Sequence, residues 1–249
     1  MDPTQLTSAR RRVAVPCRIL AHAALVEDVL GHVSVRGDDG TILVRARGPR
    51  ECGVLFTAPD DVIACSLATG RPTSESAWAP PNELPIHLAC YRDDPAVGAV
   101  VHAHPPAVIA ADLAGVPLVA MFGAYNIPAA RLAADGIATF GQSVLINTDE
   151  LGTAMRAAMG GRPVCVLRGH GITTTGATLE QAVARALAVD ALARMAGRVA
   201  ALGATPAPRP ADELAQLPDL GAAFNDELLW RFHERRLRHD GYAMDEDDR

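Results

Sequence analysis

The sequence predicts an α/β fold, a single domain with a central mixed β-sheet between layers of helices. Three observations lead there. Short Val-rich runs bounded by Gly or Pro alternate with stretches of helical periodicity, the pattern of strands and helices packed in layers. Asp39-Gly40 separates two alternating segments, a hairpin signal that makes part of the sheet antiparallel. The chain has 249 residues, 49% hydrophobic and 21% charged, enough to bury one substantial core.

The elements follow in order. Residues 7–28 read mostly as helix, with Pro16 as a kink or a fresh start. Residues 31–36 alternate as a strand and 41–45 return antiparallel to it. After a loop at 46–49, residues 60–64 form a short segment ending near Gly70. Two prolines precede a helix over 82–91, for which Asn82 is the expected N-cap. A strand enters at Ala96, runs through His102 and is stopped by Pro105 and Pro106. Residues 108–113 read as helix and 118–122 as extended. Within 133–161 a strand is expected at 143–147, then a helix opened by Thr148 or Asp149. Residues 164–167 and 172–175 are strands joined by the tight turn Arg168-Gly169-His170-Gly171. Thr178 to Gln181 reads as a capping box. It opens a helix with a core stripe of Leu179, Val183, Leu187, Ala191, Met195, Val199 and Leu202. A Pro- and Ala-rich linker over 204–212 leads to an aromatic, Arg-rich helix at 225–238, and 245–249 is expected to be disordered.

Composition narrows the function classes. A net charge of −6 argues against a nucleic-acid partner. No apolar run approaches the roughly 20 residues of a membrane span, and residues 1–12 lack the apolar core of a signal peptide. Five scattered cysteines without a C-x-x-C suit a reducing compartment, so the expected location is cytoplasmic.

The chemistry centres on His102-Ala103-His104. Strand side chains alternate faces, so these two imidazoles project together and can chelate a divalent metal. The pair alone is equally what a strand end with two satisfied histidines looks like. His170, in a Gly-rich turn after a strand, suits a third ligand, and three neutral imidazoles leave positions open for substrate or water. Glu83 stands where a Pro-rich loop becomes a helix. A carboxylate there can move protons near a metal, or simply face the helix dipole.

Glu83-Leu84-Pro85-Ile86-His87-Leu88-Ala89-Cys90-Tyr91, Val100-Val101-His102-Ala103-His104 and Leu167-Arg168-Gly169-His170-Gly171 together resemble the class II aldolase/adducin head family, over roughly residues 10 to 203. The resemblance implies a sheet between helix layers and a homotetramer with active sites at subunit interfaces. It implies one divalent metal ion per subunit (zinc, manganese, iron or cobalt) on three histidines, matched by His102, His104 and His170, and an acid/base glutamate matched by Glu83. His87, one helical turn on, either lines the site or holds Glu83. Residues 1–203 then form the catalytic domain, and 204–249 a linker and a helix packing on the domain or on a neighbouring subunit.

Departures from the sugar-phosphate aldolases of that family bear on the substrate. Where those hold phosphate with small donors, this chain has Gly31-His32, Arg47-Gly48 and Pro81-Asn82. His32, Arg47, Gly48, Asn82 and His87 are therefore the substrate-binding candidates, with a guanidinium suited to a carboxylate. Gly-His at the first place is similar to the branch that decarboxylates hydroxylated aromatic dicarboxylates. The implied activity is a metal-dependent carbon–carbon lyase acting on a small carboxylate such as a dihydroxyphthalate. A retro-aldolase on an unphosphorylated hydroxy-carbonyl compound is the alternative. A non-catalytic adducin-like scaffold needs no metal histidines, whereas all three stand here.

Overall fold

The structure is a computed structural model and describes residues 3–244; the tail at 245–249 lies outside the described residues. It opens with helix α1 (Pro3–His22), which runs through Pro16, so that proline does not start a new helix. Strands β1 (His32–Arg36) and β2 (Thr41–Arg45) are joined by a turn in which Asp39 (φ 52°) and Gly40 (φ 71°) are both left-handed, as a two-residue hairpin turn with the strands' twist requires. Next come β3 (Val62–Ser66), α2 (Leu84–Asp93), β4 (Ala99–Ala103), α3 (Pro106–Leu113) and α4 (Ile127–Ala134). Then follow β5 (Ala138–Phe140), α5 (Asp149–Met159), β6 (Val164–Leu167), β7 (Gly171–Gly176) and α6 (Leu179–Ala201). The chain ends with α7 (Ala211–Ala215), a π-helical turn (Ala223–Leu228) and α8 (Leu229–His239).

The strands form one sheet in the order β3-β2-β1-β4-β7-β6-β5, parallel only between β5 and β6. Alternation sorts its side chains. Val33, Leu43, Val62, Val101, Val164 and Ile172 face α1, α3 and α6. Ile42, Val44, Ile63, Val100, Cys165 and Leu167 face α2 and α5. The predicted mixed sheet between helix layers is therefore the observed one.

Five local expectations need correction. Asn82 is exposed and caps nothing; Glu83 holds the cap position of α2 without a side-chain cap bond. Pro85 in the first turn has no N–H, which leaves the cap fewer donors to satisfy. The strand expected at 143–147 is irregular loop, and β5 lies earlier, at 138–140, where it pairs with Cys165–Leu167. Residues 118–122 belong to no strand. The buried face of α6 is Leu179, Ala182, Val183, Ala186, Val189, Ala193 and Ala196, while Leu202 is exposed. Small residues on that face let the helix lie close to the sheet. Thr178 does cap α6 by accepting from Gln181 N, but Gln181 Oε1 accepts from Ala177 N, one residue earlier than a capping box has it.

The C-terminal segment returns to α1. Arg18 Nη1 donates to Tyr242 O at 2.9 Å and Arg11 Nη2 to Met244 O at 3.0 Å, while His22 pairs with Asp240 at 2.8 Å. Among the described residues no helix is long and apolar enough to cross a membrane.

Candidate functional site

The register of three strands places the site. His102 on β4 stands opposite His32 on β1 and Thr173 on β7, all on the face toward α2. His102 is fully buried and its Nδ1 lies 3.0 Å from Ile172 O. Donation there leaves the Nε2 lone pair free. His104 follows the strand end, where its backbone N–H donates to Leu25 O at 3.0 Å before Pro106 opens α3. Its Nε2 comes within 2.8 Å of His102 Nε2. His170 sits in the β6–β7 turn, which Asp112 of α3 holds by accepting from Gly169 N at 2.7 Å. A side chain at residue 171 would press on Ala103 O and come within 2.8 Å of His104 Cδ2. Glycine there is what lets the turn close on the imidazoles.

Glu83 completes the group from the start of α2. Its Oε1 accepts from Ile146 N at 3.0 Å, which orients the carboxylate. Its Oε2 lies 3.3 Å from His102 Nε2 and 3.4 Å from His170 Nε2. One ligand atom from each of Glu83, His102, His104 and His170 lies within 4.8 Å of all the others. Burial pushes the Glu83 carboxyl up, but the hydrogen bonds and charge of His102 and His170 outweigh it and hold it well below the usual carboxylate range. Burial, with His102 and His170 beside it, lowers His104 to about 3. An anionic carboxylate and an imidazole neutral at pH 7 are the protonation states a divalent cation requires. The two Nε2 atoms at 2.8 Å need a proton or a cation between them, so the donor set fits a metal.

A second, buried row lies behind the first. The His32 ring stacks on His102 at 4.9 Å, and its Nδ1 is 2.7 Å from His87 Nε2. His87 Nδ1 is 2.6 Å from Ser34 Oγ, which is 2.8 Å from the Tyr91 hydroxyl. Burial lowers His87 to about 3 and, with His102 and His87 adding to it, lowers His32 well below the usual histidine value. His87 thus hydrogen-bonds His32 and Ser34, and among the described residues no hydrogen bond joins it to Glu83.

The remaining candidates lie at the approach to Glu83. Arg47 is exposed, pairs its backbone with Ala79 and donates from Nε to Pro80 O at 3.1 Å. Gly48 lies so close against the Trp78 indole that a Cβ would overlap it. Together they hold the segment that delivers Glu83. Neither they nor Asn82 hydrogen-bonds the cluster among the described residues. Ser34, Tyr91, Asp112 and the Ile146 amide were not singled out in the sequence. The spacing Glu83, His87, Tyr91, four residues apart on one helix, was the available signal for Tyr91.

The family model of the class II aldolase and adducin N-terminal domain matches residues 11–196. The chain is 46% identical over 230 residues to a 3,4-dihydroxyphthalate decarboxylase of Terrabacter sp. (strain DBF63), covering 92% of this chain and 96% of that one. It is 42% identical over 240 residues to a 3,4-dihydroxyphthalate decarboxylase of Arthrobacter keyseri, covering 95% and 96%. Among solved structures, an L-fuculose 1-phosphate aldolase from Glaciozyma antarctica PI12 superposes with a TM-score of 0.76 at 19% identity, covering 94% of this chain and 92% of that one. That match speaks to the fold, and the family model and the two sequence relatives speak to descent. The chain belongs to the class II aldolase and adducin N-terminal domain family.

Proposed function

We propose that this protein is a divalent-metal-dependent lyase that decarboxylates a hydroxylated aromatic ortho-dicarboxylate of the dihydroxyphthalate type. The observation that carries this is 46% identity, across nearly the full length of both chains, to a protein named for that reaction. The convergence of Glu83 with His102, His104 and His170 supports it.

His102, His104 and His170 would hold one ion per chain; zinc, manganese, iron and cobalt all suit three imidazoles. A bound divalent ion supplies Lewis-acid polarisation of substrate oxygens. Glu83 is the proton carrier. Its Oε1 is committed to Ile146 N–H, so Oε2, facing the histidines, is the atom that moves the proton, and the anionic carboxylate first takes it from a ring hydroxyl of the substrate. As the bond from ring carbon to carboxylate breaks, its electron pair stays on the ring carbon and takes that proton, and carbon dioxide leaves. The ring oxygen that lost its proton regains one from water, and Glu83 ends anionic as it began. His32 and Arg47 bind the carboxylate that remains, with Gly48 and Asn82 on the approach and His87 behind His32. Burial of Glu83 and His102 keeps bulk water from the reacting carbon.

The catalytic unit is taken as residues 1–203, with 204–249 as the segment that packs on it or on a neighbour. The assembly is a cytoplasmic homotetramer in this reading. Exposed Tyr125, Phe224, Leu228 and Phe232 around one groove support an association surface. Sedimentation of the purified chain tests the tetramer.

The deciding experiment is release of carbon dioxide from 3,4-dihydroxyphthalate by metal-reconstituted protein, with a His104→Ala control. Stoichiometric carbon dioxide and a dihydroxybenzoate product are expected. Retro-aldol cleavage of a hydroxy-carbonyl compound with no carbon dioxide from any aromatic dicarboxylate would replace this reading with an aldolase.

A further inference from the structure

Behind the metal-type cluster, His32, His87, Ser34 and Tyr91 form a row of hydrogen bonds, and the direction of that row can be worked out. It starts at Tyr91, whose hydroxyl is fully enclosed and whose phenol burial pushes far up, so it keeps its hydrogen. Arg36 fixes this side chain, with its guanidinium 5.0 Å over the ring and a 2.8 Å bond to Tyr91 O. Among the described residues, the acceptor within reach of the phenol hydrogen is Ser34 Oγ at 2.8 Å. Tyr91 therefore donates and Ser34 accepts, because an enclosed O–H without an acceptor is disfavoured. Ser34 then gives its own hydrogen to His87 Nδ1 at 2.6 Å. His87 Nδ1 accepts with its lone pair, so the ring hydrogen is on Nε2, and it goes to His32 Nδ1 at 2.7 Å. His32 Nδ1 accepts that hydrogen, so the ring's own hydrogen must sit on Nε2. That atom has no protein partner among the described residues and is not sealed off.

The geometry points to a one-way hydrogen-bond chain, from Tyr91 through Ser34 and His87 to His32, that fixes His32 as its Nε2–H tautomer. Its free edge is then a neutral donor for a carboxylate and not a fourth metal ligand. Tyr91, Ser34 and His87 are positioning residues, and the part concerning the carboxylate rests on the decarboxylase reading above. Reversing the chain would strand the Tyr91 hydrogen. It would also turn a lone pair toward the site, where it would repel a carboxylate and compete for the metal. The chain thus separates two imidazoles stacked at 4.9 Å into two roles, His102 as ligand and His32 as donor.

Neutron diffraction from zinc-loaded, perdeuterated protein tests the tautomer directly. Deuterium is expected on His32 Nε2 and His87 Nε2, with Tyr91 Oη–D aimed at Ser34. Deuterium on His32 Nδ1 would overturn the chain. The positioning role is tested by titrating phthalate, a dicarboxylate without ring hydroxyls, into the zinc-loaded enzyme by calorimetry. Ser34→Ala leaves His87 Nδ1 without its donor and should weaken phthalate binding about fivefold, the worth of one hydrogen bond. Ser34→Thr, which keeps the hydroxyl, should restore it, and zinc content should not change in either. Equal affinity in wild type and Ser34→Ala would remove the positioning role. The expected deuterium pattern in an enzyme that releases no carbon dioxide from 3,4-dihydroxyphthalate would uphold the chain and overturn the decarboxylase reading alone.

Discussion

The two faces of strand β4 make the most useful comparison in this molecule. Its five residues are all buried, yet they serve opposite ends. Ala99, Val101 and Ala103 join Val33, Ile172, Val183 and Val189 in an aliphatic core under α1 and α6. Val100 and His102 look the other way. Toward the end of that second face the aliphatics give out, and His32, Ser34, Glu83, His87 and Tyr91 surround His102, all buried. Burying that many polar groups is costly unless each finds a partner, and here each does. The period-two alternation of a strand thus lets one short segment supply folding energy with its odd residues and chemistry with an even one. The two functions should be separable by substitution.

The largest effect should come from the polar face. His170→Ala should take metal content from one ion per chain to near zero and turnover to background, while the fold survives; elemental analysis and denaturant melts of the metal-free protein check both. Glu83→Gln should come next, lowering turnover by roughly 10²–10⁴-fold with metal still bound. Two residues from His170 the pattern should invert. Ile172 is fully buried on the aliphatic face, and Ile172→Ala should cost about 2–5 kcal/mol of stability. Metal stoichiometry and turnover per folded molecule should be kept. If His170→Ala proved as destabilising as Ile172→Ala, the two faces would not be independent.

A smaller effect separates the faces by pH. His87 is buried and lowered to about 3, whereas an unfolded histidine titrates near 6.5. His32, Ser34, Glu83 and His102 are the groups that face it. Below pH 6.5 the unfolded chain therefore binds a proton that the folded chain refuses, so stability falls as pH falls, by about 1.4 kcal/mol per unit down to about pH 3. Above pH 6.5 this contribution is constant. Replacing His87 with Gln, which cannot titrate, should flatten the stability curve between pH 6 and 4 by about that slope. An unchanged slope would mean that His87 gains its proton without unfolding.

How legible these regions were in the sequence differs for a physical reason. The hairpin, β4, the β6–β7 turn and the pair His102 and His104 follow from local rules, since alternation and φ preference are written in neighbouring residues. The mislocated strand was not decided locally. Residues 143–147 carry the short apolar run Val144-Leu145-Ile146 that a strand would, but β6 pairs with Ala138–Phe140, and the later loop brings the Ile146 amide to Glu83. Tertiary pairing overrode pattern. The Asn82 cap failed similarly, because the residue at the cap position was Glu83 and its carboxylate was needed in the site. Ser34 and Tyr91 were illegible because a hydroxyl on a strand or helix has no signature until its partner is known. The residues offered His102, His104, His170 and Glu83 as candidates beside plainer alternatives, the family motifs joined them into one site, and their convergence is a matter of three-dimensional register.

The smallest expected effect concerns Arg47, where the polar face meets solvent. Its guanidinium is exposed and already gives one donor to Pro80 O, so four N–H bonds remain for a substrate carboxylate. An exposed ion pair is worth at most about 1 kcal/mol, roughly a fivefold change. A guanidinium closed into a pocket with its partner is worth about 2–5 kcal/mol when removed. With Arg47 as placed here, Arg47→Ala should lower kcat/KM for 3,4-dihydroxyphthalate by about fivefold. It should leave a monocarboxylate analogue and the metal content nearly untouched. Arg47→Lys should recover only part of the loss, since a point charge lacks the planar fork. Because Arg47 also holds the segment leading to Glu83, a loss that was equal for dicarboxylate and monocarboxylate would assign it to that loop and not to the substrate. A loss of a hundredfold confined to the dicarboxylate would mean that the site closes over Arg47 when substrate is bound. The polar region would then extend beyond the sheet face on which His32 and His102 stand.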